Sequence, residues 1–457
     1  MFSTISSNKS PVHDLALKWN NNPFFWDPEW GAKRNGPLLT FVNYLNIKVM
    51  DEPVDYSEET MQKIYRKYEK KSKEANKNRQ NPGSTDVVMI LSESFSDPTR
   101  VKGIDLNEDP MPFTRDLMEG NPSGMMISNG YGGGTANMEF QALTSLALGN
   151  FSMSMTSLHM QLAMKMTDPF TVNNLFDRSI AIHPYSGEVY NRKNVLKKFD
   201  FSKFYSQDGP QTFPYKEHAQ NNPYIDDASL YQFVLKQIRS NKGSTFYHVL
   251  SMQNHMPYDS NEYPENDFKV QGKISKKERT QIESYAKGVN LTDQANEEFI
   301  EQLKKIKKNV IVIFYGDHLP GIYSNADFNK DGILMHETPY FVWSNHLKLD
   351  KSAAPKLTGP YGFGNIAFDT ANFKLTPYYE LLTEVTKKLP VITSNMKSDD
   401  RLNLERSKIQ LVSQRTEKLV DPDKLSAQEK KILHEYQLVQ YDLSAGKHYL
   451  PEKFTKK

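Results

Sequence analysis

Between about Asp86 and Val391, short apolar runs rich in β-forming residues alternate with stretches of helical amphipathic spacing. Four of the runs, Val87–Leu91, Ser179–Ile182, Thr245–Met252 and Val310–Tyr315, suit buried strands. Strands alternating with helices predict an α/β fold, a mostly parallel central sheet flanked by helices. The flanks read differently. Residues 1–50 are rich in Asn, Pro and Trp and end in a short amphipathic stretch, LLTFVNYLNIKV. From Tyr56 to about Arg79 the chain is helical and highly charged, which reads as a solvated helix face, until QNPGST breaks it. Beyond Asp399 it turns charged and helical again (QEKKILHEYQLVQY), as expected of a peripheral tail. The expected division is a linker and helical segment over 1–85, a catalytic domain over 86–398 and a helical tail over 399–457, with a smaller C-terminal α+β portion.

Composition narrows the chemistry. The 457 residues carry 57 Lys+Arg against 55 Asp+Glu, a formal net charge of +2, which gives no electrostatic reason to expect a nucleic-acid partner. The absence of cysteine removes disulfides, thiolate metal sites, Fe–S clusters and thiol nucleophiles. No apolar run approaches the roughly 18–20 residues of a membrane span. The N-terminal MFSTISSNKSPVHD lacks the charged and apolar regions of an export signal.

In open α/β sheets, ligands bind outside the carboxyl ends of the strands. The four runs lead directly into Ser92-Glu93-Ser94, His183-Pro184-Tyr185, Gln253-Asn254-His255 and Gly316-Asp317-His318. One such coincidence is commonly a cap or a salt bridge; four in one chain point to an active site. A fifth element, Tyr131-Gly132-Gly133-Gly134-Thr135, precedes an amphipathic segment over Ala136–Leu148 that Gly149 is expected to cap. Glycines allow close backbone approach, and a helix N-terminus directs N–H groups at an anion. Thr135 then reads either as an ordinary N-cap or as a nucleophile, and the other four elements favour the nucleophile. A threonine hydroxyl needs activation, which metal coordination supplies. Glu93, Asp317, His318 and the Thr135 oxygen form a mostly hard-oxygen set suited to Mn²⁺ or Mg²⁺, with Zn²⁺ left open.

LSESFSD, GGGTANMEFQALTSL, SMQNHMPY and FYGDHLP, in that order, closely resemble the lipoteichoic acid synthase family, phosphoglycerol transferases of the alkaline phosphatase/sulfatase superfamily. The resemblance covers about Asp86 to Val391, and the preceding segment resembles the family's join to its membrane part. It implies that Glu93, Thr135, Asp317 and His318 hold one divalent metal, usually Mn²⁺. Thr135 would be the nucleophile that takes glycerol phosphate from phosphatidylglycerol and releases diacylglycerol. The acceptor would be a glycerol phosphate polymer, as in lipoteichoic acid, or another cell-wall glycan. His183, Arg192 and His255 match positions that bind the glycerol phosphate headgroup, with His183, His255 and Arg192 expected to offset phosphate charge as cations. Tyr190 stands where the lipoteichoic acid synthases carry Trp; an aromatic wall is kept, and the acceptor is left open. Family members begin with transmembrane helices, so the resemblance places this chain on the extracellular face of the membrane, as an extracytoplasmic part whose anchor is absent from the sequence or as a released form.

Other readings compete. Ser96-Asp97-Pro98-Thr99-Arg100 fits the S-x-P-x-R pattern of serine-type sulfatases, but it follows the Glu93 strand and reads as a turn leaving the site. Asp327–Gly332 resembles the opening of an EF-hand loop; Thr338 occupies the twelfth position, where a Glu belongs, so a polar turn is expected. His248 reads as structural, and His336 and His346 carry no signal. A metal-dependent phosphodiesterase or phosphatase, a sulfatase, and a catalytically inactive binding module are the alternative functions.

Overall fold

All four apolar runs become strands, and they lie side by side. The computed structural model describes residue 18 and residues 28–44, 48–394 and 409–456. Its main sheet has nine strands: β1 (Asp86–Ser92), β2 (Ser123–Ile127), β3 (Arg178–Ile182), β4 (Lys203–Ser206), β5 (Gln211–Thr212), β6 (Thr245–Leu250), β7 (Val310–Gly316), β8 (Glu337–Ser344) and β9 (Leu357–Thr358). Their order is β9-β2-β8-β7-β1-β6-β3-β4-β5, so the four predicted strands are its contiguous centre. Every pairing is parallel except those of β8, which runs antiparallel to β2 and β7. This is the mostly parallel, helix-flanked sheet expected from the sequence.

The unbroken apolar runs have a direct cause. Both faces of the sheet are covered, so every position of β1 is buried. Val87, Met89 and Leu91 enter one core, and Val88 and Ile90 the other. The helices Asp227–Ser240 and Lys276–Leu303 cover the second face; Thr135–Thr144, Phe363–Thr370 and Pro377–Lys388 pack on the first.

The flanks depart from expectation. The charged N-terminal run forms the helix Glu58–Ala75, capped by Ser57; its outer face is solvated, but Met61, Ile64 and Tyr68 join the first core. The C-terminal helix Ala427–Ser444 is not peripheral. Ile432, Leu433, Tyr436 and Val439 belong to the same core, and Tyr68 Oη donates to Glu435 Oε2 at 2.7 Å. Tyr436 Oη donates to Ser145 O at 2.7 Å, and Gln440 brackets Ala147, accepting from its N–H at 3.0 Å and donating to its carbonyl at 2.9 Å. A small sheet pairs 391–393 with 410–412, which pairs in turn with 419–420, crossing the boundary drawn after residue 398. The segments drawn as separate in the sequence therefore share one core. Among the described residues no helix is long and apolar enough to cross a membrane.

Candidate active site

Strand register assembles the site. β1 pairs with β7 so that Ser92 faces Gly316, which sets Glu93 beside Asp317 one step beyond the paired ends. Gly316 is required by this close approach: a Cβ there would lie 1.7 Å from Phe95 O. On the other side β1 pairs Leu91 with Leu250, and Glu93 N–H donates to Ser251 Oγ at 3.0 Å. The third component comes from the glycine loop. Gly134 caps the helix Thr135–Thr144 with φ 102°, a conformation open to glycine, and Thr135 is the first helical residue. Its hydroxyl makes no capping bond; it donates to Glu93 Oε2 at 3.2 Å and lies 3.5 Å from His318 Nε2.

Glu93, Asp317 and His318 are all buried, with one potential ligand atom of each within 4.8 Å of the others. Asp317 Oδ1 accepts from Ser94 N–H and His318 N–H, at 2.7 and 2.8 Å. Its Oδ2 has no hydrogen-bond partner and sits 3.3 Å from His318 Nε2. Burial and then the neighbouring Glu93 push the Asp317 carboxyl up to about 6. Burial alone would lower His318, but the Asp317 and Glu93 charges outweigh it and raise it. The two carboxylates thus favour the charged form of the imidazole. Two carboxylates, one of them with an orphaned buried oxygen, an imidazole nitrogen and a hydroxyl form a donor set that fits a divalent metal ion.

The opposite wall is built around Arg192, itself 2% exposed. Its Nε donates to Glu139 Oε2 at 2.9 Å, and its Nη1 lies 3.4 Å from His183 Nε2. Glu139 stands one helical turn after Thr135 and is fully buried. His248 Nε2 lies 3.1 Å from its Oε1, and His159 Nε2 3.9 Å from its Oε2. Burial acts to raise the Glu139 carboxyl, but Arg192, His159 and His248 outweigh it and hold it well below the usual range. Before the turn, Tyr190 and Asn191 both adopt left-handed backbone, with φ 56° and 57°, a strain of about 1–3 kcal/mol each. The Tyr190 ring lies 5.2 Å from the Arg192 guanidinium carbon.

A cavity of about 210 Å³ joins the two walls, lined by Glu93, Thr135, His183, Tyr190, Arg192, His255 and His318 among others. Every site residue expected from sequence except Asp317 lines it, and Asp317 lies directly behind in the ligand cluster. One expectation is corrected in its chemistry: burial, followed by the adjacent Arg192, lowers His183 to about 3, so it is a neutral partner of Arg192 and not a cation. The helix after Thr135 is also shorter than expected. It ends at Thr144, with Ser145 as a left-handed cap, and is buried all round instead of amphipathic. Gly149 falls in a 3₁₀ turn, where a Cβ would meet Thr393 O at 2.4 Å.

The decoys resolve as structural. Ser96 Oγ lies 2.8 Å from Tyr285 Oη, Asp97 caps Thr99, and Arg100 pairs with Glu337, so SDPTR is a turn leaving the site. Asp327 caps a single helical turn and Asp331 pairs with Lys102, which is not an EF-hand geometry. His336 Nδ1 contacts Ser128 O at 3.0 Å and His346 Nε2 contacts Ile306 O at 2.7 Å, both outside the cavity. Sequence reasoning passed over Glu139; its signal was a lone carboxylate four residues after Thr135 in an otherwise uncharged helix.

The model of the Sulfatase family matches residues 85–360. The chain is 29% identical, over 95% of its length, to a Rhizobium meliloti protein assigned to cyclic beta-1,2-glucan modification, and 26% identical, over 56%, to the capsular polysaccharide biosynthesis protein RkpI of the same organism. It spans 65% and 44% of the length of these two relatives. Among solved structures, Streptococcus pyogenes phosphoglycerol transferase GacH in complex with sn-glycerol-1-phosphate is 35% identical, with a TM-score of 0.78 over 90% of this chain and 99% of that one. The lipoteichoic acid synthase LtaP of Listeria monocytogenes shares the fold at 14% identity, with a TM-score of 0.52 over 81% of this chain and 97% of that one.

Proposed function

The chain belongs to the sulfatase family, and from that premise we propose that it is a metal-dependent phosphoglycerol transferase. It takes glycerol phosphate from phosphatidylglycerol and passes it, through a glycerophospho-Thr135, to a hydroxyl of a glycerol phosphate polymer or a cell-wall glycan. The observation that carries this reading is the Thr135 hydroxyl, turned away from helix capping and toward Glu93 and His318 in a cavity whose far wall holds Arg192. The relative that binds sn-glycerol-1-phosphate supports the choice of headgroup.

Glu93, Asp317, His318 and Thr135 would hold the metal, Mn²⁺ or alternatively Mg²⁺, which when bound would lower the pKa of the threonine hydroxyl and offset phosphate charge. Thr135 Oγ1 forms a bond to phosphorus as the bond to diacylglycerol oxygen breaks, and the leaving alcohol takes up the proton that Thr135 gives up. In the second step the acceptor oxygen forms the new bond to phosphorus, the bond to Thr135 breaks, and the acceptor proton returns to the threonine. The helix N-terminus and Arg192 face the phosphoryl oxygens, with Arg192 aimed by Glu139 and His183. Tyr190 and His255 bound the headgroup pocket. The donor lipid places the enzyme at the outer surface of a membrane.

The test is diacylglycerol release from labelled phosphatidylglycerol in mixed micelles with Mn²⁺, comparing wild type with Thr135→Ala. Release is expected to need both the metal and Thr135, falling by at least about 10³-fold in the variant. Release that survives in Thr135→Ala refutes the covalent route; no release from metal-loaded wild type refutes the donor.

A further inference from the structure

The turn that follows β1 touches both ligand carboxylates at once. Ser94, the residue after Glu93, is buried and lies in left-handed backbone at φ 48°, a conformation that few residues other than glycine adopt. Its N–H donates to Asp317 Oδ1 at 2.7 Å, and its Oγ donates to Glu93 Oε1 at 3.0 Å. Each bond engages one oxygen of a carboxylate and leaves the other. Asp317 Oδ2 has no hydrogen-bond partner, and Glu93 Oε2 accepts from Thr135. One serine thus fixes how both carboxylates are turned, and it does so from a strained backbone.

The group that holds this strain comes from a distant element. Tyr285 is buried in the long helix Lys276–Leu303, 191 positions beyond Ser94. A phenol has one proton to give, and Ser94 O at 2.6 Å is nearer than Ser96 O at 3.2 Å. The Tyr285 oxygen accepts from Ser96 N–H at 2.9 Å and lies 2.8 Å from Ser96 Oγ, the source of a second donation. One bond given and two received exhaust what this hydroxyl can make. It thereby ties the carbonyl of Ser94 to the amide of Ser96, across the turn. Tyr258 packs edge-on against the Tyr285 ring, with centroids 5.5 Å apart and an interplanar angle of 80°, which keeps the ring in place. Without this hold, Ser94 would relax toward an ordinary backbone region and carry both of its donations away from the carboxylates.

We propose that Tyr285 is a positioning residue for the metal site: its hydroxyl holds Ser94 in the left-handed turn that aims Glu93 and Asp317. This rests on the reading of Glu93, Asp317 and His318 as ligands of a divalent ion, and it goes beyond them to a residue that touches none of the three. Removing a group that orients metal ligands from behind typically weakens metal binding by about 10–100-fold.

The experiment titrates the full chain with Mn²⁺ by calorimetry, in wild type, Tyr285→Phe, Ser94→Gly and the double variant. A thermal melt of each in chelator checks that it is folded at the titration temperature. Tyr285→Phe is expected to raise the Mn²⁺ Kd about tenfold or more. Glycine adopts positive φ without steric cost, so on the Ser94→Gly background the same substitution is expected to change the Kd by less than about threefold. General loosening of the long helix would instead weaken binding by the same factor on both backgrounds. An unchanged Kd in Tyr285→Phe, or an equal loss on both backgrounds, overturns the proposal. A wild-type chain that takes up no Mn²⁺ overturns the metal reading beneath it. The two failures are distinct, because one shows in the wild type alone and the other only between variants.

Discussion

Asp317 and Glu139 are both fully buried carboxylates on opposite walls of one cavity, yet their carboxyls are displaced in opposite directions. In each, loss of water is the largest influence and acts to raise the pKa. What differs is the company. Glu139 has a guanidinium at 2.9 Å and two histidines close by, so its charge is balanced within the protein. Asp317 has Glu93 and one histidine, so two carboxylates share too little positive charge. One wall balances its charges among its own residues, and the other presents a buried donor set that could hold a divalent cation. The lesson is that burial makes a carboxylate sensitive to its partners, and the sign of the shift reports the net charge those partners carry.

That contrast can be broken from either side. The largest effect is expected from Glu139→Gln, which strands a buried guanidinium and should destabilise the protein by about 3–5 kcal/mol, measured by denaturant unfolding. The donor KM should rise in the same variant, while Mn²⁺ affinity by titration stays within a few-fold of wild type. Asp317→Asn should act with the opposite sign on the metal-free protein. At pH 7.5 the native Asp317 is ionised against a folded pKa of about 6, above the ordinary 3.8. Removing that charge should stabilise the metal-free form, seen as a higher midpoint in a thermal melt with chelator. Saturating Mn²⁺ should raise the wild-type midpoint and leave Asp317→Asn nearly unmoved.

A third carboxylate, Asp227, sharpens the comparison as an internal reference. It is fully buried with no cation beside it; Thr292 Oγ1 donates to its Oδ2 at 2.6 Å and its Oδ1 is unpartnered. Burial, aided by the adjacent Asp226, carries it up to about 7. A carboxyl raised on folding adds stability that is complete below the unfolded pKa near 4 and is lost as pH rises through the folded value near 7. Wild type should therefore lose roughly 2 kcal/mol from this group between pH 5 and 7. Unfolding of Asp227→Asn across that range should show the slope reduced by the same amount; an unchanged slope would show that Asp227 does not carry it.

The legible part of the molecule is the part where chemistry is local to a strand end. Glu93, His183, His255 and Asp317-His318 each follow an apolar run directly, so a linear pattern points to them. Parallel register then does the rest without further sequence signal, because Ser92 opposite Gly316 and Leu91 opposite Leu250 bring the ends together. The Arg192 wall was half legible. The motif led to His183 and Arg192, but the neutral state of His183 depends on burial and on a guanidinium nine residues away in the chain. Glu139 was not legible because its partners lie 53 and 109 residues distant. The C-terminal helix was misjudged for a related reason. Its charge density describes the side that meets solvent, whereas its buried side mixes Ile432, Leu433, Tyr436, Leu438 and Val439 with the polar Glu435, Gln440 and Asp442, which blur the apolar periodicity.

That helix also bears on how the enzyme comes into being. The backbone just after the Thr135 helix, at Ser145 and Ala147, is held by Tyr436 and Gln440, about 290 positions later in the chain. A ribosome that has already made Thr135, the proposed nucleophile, must add just over 300 more residues before these holding groups exist. Chains released early would carry Thr135, the proposed nucleophile, and the glycine loop on an unsupported segment, so acquisition of activity is tied to synthesis through Gln440. Messages truncated before the codon for Tyr436 should yield inert protein, however intact their upstream motifs.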